Sequence, residues 1–105
     1  MHNQHDSEIF ENIARSWWDL DGPCKTLHDI NPTRLEYIKQ QTNLEKKNVA
    51  DIGCGGGILS EALALNKASV TGLDISSKLI SVAQDHSKHI GSSIYYTDTT
   101  LEALA

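Results

Sequence analysis

This 105-residue chain has little to staple it covalently. Its two cysteines, Cys24 and Cys54, make no disulfide framework. No Cys/His pair has zinc spacing, so no metal site is expected. No run approaches the roughly 20 apolar residues that a membrane-spanning helix needs. The first residues, Met1-His2-Asn3-Gln4-His5-Asp6-Ser7-Glu8, lack a basic start and an apolar core. They read as neither a secretory signal nor an Arg-rich transit peptide, and a cytoplasmic location is expected. A formal net charge of -5 argues against nucleic acid as the main partner. There is no internal repeat and no low-complexity tract. What is there, 39% hydrophobic and 22% charged residues, is ordinary for one soluble globular domain.

Helical and strand rhythms divide the chain near Lys46-Lys47. Asp6 or Ser7 can cap a helix starting at Glu8, with Ile9, Phe10, Ile13, Ala14, Trp17 and Trp18 on one stripe. Gly22-Pro23 ends that element. Asn31-Pro32 predicts a second helix, with Asn as cap, Pro at the first position and a stop near Asn43. Then the period changes. Asn48 to Ile52 reads as a strand, Ile58 to Leu65 as a helix and Ser69 to Leu73 as a strand. Ser76 can cap a helix over Lys78 to His86, Gly91-Ser92-Ser93 is a turn, and Ile94 to Thr97 is a third strand. Residues 1–47 thus form a helical leader. Residues 48–105 form strand-helix-strand-helix-strand, which predicts an α/β, Rossmann-like parallel sheet with right-handed crossovers.

The chemistry concentrates where the first strand meets the next helix. Val49-Ala50-Asp51-Ile52-Gly53-Cys54-Gly55-Gly56-Gly57 runs a buried strand into a glycine loop. Asp74 closes the second strand about 20 residues past Gly53, the place of a ribose-binding acid. Gly53, Gly55 and Gly57 give G-x-G-x-G. A dinucleotide loop would be G-x-G-x-x-G or A, and counting from Gly53 that last place holds Ile58. The phosphate loop G-x-x-x-x-G-K-[ST] is absent, and no Lys or Arg occurs from Asp51 to Asn66. Asp51 suits a ligand ammonium group better than a pyrophosphate. A nucleoside with a cationic or zwitterionic tail fits, and S-adenosyl-L-methionine is one. The helix after Gly57 would favour its carboxylate by about 0.3–1 kcal/mol. Asp98, ending the third strand, is either a partner for the adenine amino group or a turn residue. Cys54 reads as a small side chain suited to a crowded turn.

The loop run and Val70-Thr71-Gly72-Leu73-Asp74 resemble two motifs of class I S-adenosylmethionine-dependent methyltransferases. The leader, Ser16-Trp17-Trp18-Asp19-Leu20-Asp21-Gly22 and Leu27-His28-Asp29-Ile30-Asn31-Pro32-Thr33-Arg34-Leu35, is similar to the N-terminal part of the ubiquinone-biosynthesis O-methyltransferases. The resemblance covers nearly all of residues 7–105, but only the first half of such an enzyme. It implies that Arg34, Gly53 and Asp74 contact the cofactor; Asp51, Gly55 and Asp98 are the further candidates. A guanidinium at Arg34 can pair with the methionine carboxylate. It implies methyl transfer to a phenolic oxygen of a polyprenylated quinol or catechol, with peripheral contacts at the inner membrane or to proteins of the same pathway. It names no catalytic residue here. His28 reads as structural rather than as a general base, and Trp17 and Trp18 read as core packing, with a quinone-head pocket or a lid as the alternative.

Two other readings stand beside it. One is a nicotinamide- or flavin-binding oxidoreductase domain, disfavoured by Ile58 and Asp51. The other is a truncated, non-catalytic product. A doubly wound sheet has about five to seven strands, with the first in the middle. Three strands leave its far edge bare, a hazard that predicts truncation or a covering partner.

Overall fold

The computed structural model describes residues 15–104. The expected cap and apolar stripe before Arg15 lie outside them. Three parallel strands form one sheet in the order β1-β2-β3. They are β1 (Asn48–Ile52), β2 (Ser69–Leu73) and β3 (Tyr95–Thr97). Parallel pairing needs a crossover after each strand. The helices α2 (Ile58–Leu65) and α3 (Ser77–Ile90) supply them. A long helix, α1 (Lys25–Gln41), precedes the sheet, and a short turn of helix, α4 (Leu101–Leu104), follows it.

The β1, α2 and β2 limits match the sequence pattern, because glycine and polar breaks punctuate short apolar runs there, while β3 begins one residue later than expected, at Tyr95. Ser76 caps α3 as expected: its hydroxyl accepts the Leu79 N–H at 3.2 Å. The helix runs past His86 to Ile90 and ends at Gly91. There Gly91 N–H reaches Lys88 O at 3.2 Å and Ser92 N–H reaches Ser87 O at 2.9 Å. These are the paired bonds of a Schellman ending.

The leader departs from the expectation in two places. Asn31-Pro32 does not start a helix. Pro32 lies inside α1, which begins at Lys25 after the Gly22-Pro23 turn. A mid-helix proline removes one backbone bond, here that to the His28 carbonyl. Packing offsets this, since Leu35 and Ile38 sit against a core of Leu44, Leu63 and Val70. Trp17 and Trp18 lie in a turn, not on a continuing helical stripe. Contacts with the glycine loop, described below, hold them there.

Alternation along the strands sorts the two faces of the sheet. Val70, Gly72 and Tyr96 point toward the helices and are buried. Cys54, Ile80, Ala83 and Tyr96 form a second core cluster under α3. Ala50, Thr71 and Tyr95 are in register on the other face, and Tyr95 is 62% exposed. Both crossover helices therefore cover one face of the sheet. Among the described residues, no helix is long and apolar enough to cross a membrane.

Candidate functional site

The glycine loop forms at the C-terminal end of β1, where open α/β sheets place ligands. Gly53, Gly55 and Gly57 all have positive φ, at 73°, 55° and 95°. Gly57 is the residue before α2, and a left-handed cap there favours glycine. The loop folds back on β2: Gly53 N–H and Cys54 N–H both reach the Leu73 carbonyl, at 2.7 and 2.9 Å.

Asp74 ties the site together. One carboxylate oxygen accepts Gly55 N–H at 3.0 Å. The other accepts Ser76 N–H at 2.9 Å, which sets up the α3 cap. An ionised carboxylate offers about four lone-pair sites, so two stay open for a ligand's hydroxyls. Asp74 and Gly53 border a cavity of about 340 Å³ with Ile75, Thr99, Thr100 and Glu102. That volume is at the small end for a ligand pocket. A side chain built at Gly53 would meet nothing within 4 Å, so its Cα faces open space.

The rest of the loop is covered. A Cβ at Gly55 would come within 2.9 Å of the Trp17 ring, and one at Gly56 would enter that ring. Cys54 is buried, and burial, then the Asp51 and Asp74 charges, push its thiol up to about 12. It stays protonated near neutral pH, so the small packing side chain is what the geometry shows.

Asp51 points from β1 toward α2 and accepts the Ser60 hydroxyl at 2.6 Å. Burial raises its carboxyl, while Ser60 and the Arg34 charge pull it down. Arg34 itself is exposed on α1. Asp98 is exposed in a bend after β3 and does not line the cavity. The fold thus joins Gly53 and Asp74 at one cavity, brings the Arg34 charge within electrostatic reach of Asp51, and places Asp98 next to Thr99, which borders that cavity. His28 donates its Nε2–H to the Trp17 carbonyl at 2.8 Å, a structural use. Thr99 and Thr100 were not singled out from the sequence; nothing but their position after the third strand marks them. A larger cleft of about 790 Å³ lies between Trp18 and α3, and no loop glycine lines it. Among the described residues no group of three His, Cys, Asp or Glu side chains could hold a metal ion.

A glycine loop after the first strand, an acid after the second and helical crossovers on one face define the class I methyltransferase fold. The family described as a methyltransferase domain matches residues 49–105, and the chain belongs to it. Among curated relatives, the ubiquinone biosynthesis O-methyltransferase of Histophilus somni is 52% identical over 96 residues, covering 90% of this chain and 40% of the relative. That of Pseudomonas syringae pv. tomato is 49% identical over 107 residues, covering 100% of this chain and 46% of the relative. The chain spans less than half the length of these relatives. Among solved structures, magnesium protoporphyrin IX methyltransferase from Synechocystis PCC 6803 with bound SAH has a TM-score of 0.78 at 25% identity. The match covers 94% of this chain and 49% of that one.

Proposed function

We propose that this chain is the cofactor-binding part of an S-adenosyl-L-methionine-dependent O-methyltransferase of ubiquinone biosynthesis. The observation that carries this reading is the open Cα of Gly53 beside the Asp74 carboxylate, at a cavity on the strand ends. The relatives at 49–52% identity bear the name ubiquinone biosynthesis O-methyltransferase, and the acceptor we infer from that is a phenolic hydroxyl of a polyprenylated quinol or catechol.

Each residue then has a task. Asp74 receives the ribose hydroxyls on its open lone pairs. Gly53 lets the ligand lie against the backbone, and Gly55 holds Asp74 in place through its N–H. Arg34 faces the methionine carboxylate, Asp51 the ammonium group and Asp98 the adenine amino group. When bound, S-adenosylmethionine would supply an electrophilic methyl, the S–CH3 bond breaking as the O–CH3 bond forms and S-adenosylhomocysteine leaving, with the phenolic proton passing to a base. The work of residues 15–104 is to orient the donor rather than to move that proton. A cytoplasmic location with peripheral contact at the inner membrane suits a prenylated acceptor.

Isothermal titration with S-adenosylhomocysteine tests this on the chain joined to a C-terminal half of the relatives' length. Saturable binding is expected, and Asp74→Ala should weaken it by about 100-fold or more, the size of two lost hydrogen bonds to a charge at about 1.5–3 kcal/mol each. Asp74→Asn guards against a folding defect. No heat of binding in the parent protein, or parental affinity in both variants, would sink the reading.

A further inference from the structure

The two tryptophans use the loop differently. Trp17 lays its ring over Gly55 and Gly56, and its Nε1 has no hydrogen-bond partner. Trp18 donates its Nε1–H to the Gly56 carbonyl at 2.9 Å. Its indole stacks flat on the His86 imidazole, with ring centres 3.7 Å apart and planes 1° from parallel. The His28 ring meets its edge at 5.2 Å. His86 Nδ1 is 2.6 Å from a carboxylate oxygen of Glu61, which is buried on α2. Glu61 N–H in turn reaches the Gly57 carbonyl at 3.0 Å. The contacts close a circuit: Gly56, Trp18, His86, Glu61, Gly57.

Such a circuit answers a specific weakness. Glycine backbones visit both signs of φ with similar ease, so a run of three glycines does not hold one shape by itself. A ligand that must order the loop binds more weakly than one that finds it ordered. We propose that Trp18 is a positioning residue: its indole N–H fixes the Gly56 peptide plane, and the His86–Glu61 pair fixes the indole. The effect on cofactor affinity rests on the reading above. The effect on loop order does not.

The test is amide hydrogen exchange in the ligand-free protein of family length, followed by titration with S-adenosylhomocysteine. Trp18→Phe keeps an aromatic ring and removes the donor. Exchange at Gly55 and Gly57 should rise roughly tenfold, with β1 and β2 amides unchanged, and affinity should fall roughly five- to tenfold, as for one lost hydrogen bond. Glu61→Ala should loosen the same amides, and Glu61→Gln, which keeps an acceptor for His86, should restore them. This pair carries the test if Trp18→Phe does not fold. Unchanged loop exchange overturns the proposal. So does faster exchange spread evenly over the sheet, or failure of Glu61→Gln to rescue. If the parent protein binds no S-adenosylhomocysteine, the cofactor reading fails and the exchange data still decide the role of Trp18.

Discussion

The two halves of the glycine loop live in opposite surroundings. Around Gly53 nothing stands within 4 Å of where a side chain would start. Around Gly55 and Gly56 the Trp17 ring fills that space. One residue type therefore serves two ends in four positions. At Gly53 it leaves room for a ligand; at Gly56 it makes room for the protein's own leader. Substitutions should separate the two.

Gly56→Ala should have the largest effect on stability, because its methyl group enters the Trp17 ring. Overpacking of this kind costs about 1–3 kcal/mol, read as a lower urea midpoint. A loss well under 1 kcal/mol would show that the leader yields, and the covered half would no longer differ from the open one.

Gly53→Ala meets no clash, so only the left-handed backbone at φ 73° opposes it, at about 1–2 kcal/mol. Affinity for S-adenosylhomocysteine should drop more than stability does, the reverse of Gly56→Ala. Titration and urea unfolding on both variants would check this. Unaltered affinity would remove Gly53 from the ligand face.

The smallest effect should come from Asp51→Asn, beside the open half. Burial raises the Asp51 carboxyl above its ordinary value of 3.8. A raised value means that folding favours the protonated form. Its contribution is full below about pH 4 and is lost as pH rises through the folded-state value. Asn removes that loss while it can still accept from Ser60. As pH rises from about 4, the urea midpoint of the variant should gain on that of the parent. Glu61, also raised by burial, keeps part of the dependence in both. Parallel pH curves would count against a buried cost at Asp51.

The open half was legible in the sequence and the covered half was not. Asp51, Gly53 and Asp74 stand at spacings set by strand, loop and crossover, and local pattern finds them. The limits of β1, α2 and β2 follow from the same punctuation. Pro32 misled because packing of Leu35 and Ile38 carries α1 through a residue that locally signals a start. Trp18 and Gly56 are 38 positions apart, and Glu61 and His86 are 25 apart. No periodicity reports contacts at that distance. Asp98 follows the end of β3 in a bend and is exposed.

The all-parallel register has a kinetic consequence. Every pairing in the sheet joins residues about 20 to 25 positions apart, and among the described residues no hairpin offers a nearer start. Folding must close those long segments before any strand bond rewards it, which is slow compared with helix formation. The loop needs Trp18 from the leader and Asp74 from the second strand before it takes its shape. Its order is therefore expected to follow strand pairing, and in pulse-labelled refolding protection of the Gly55 amide should lag that of the β1 and β2 amides.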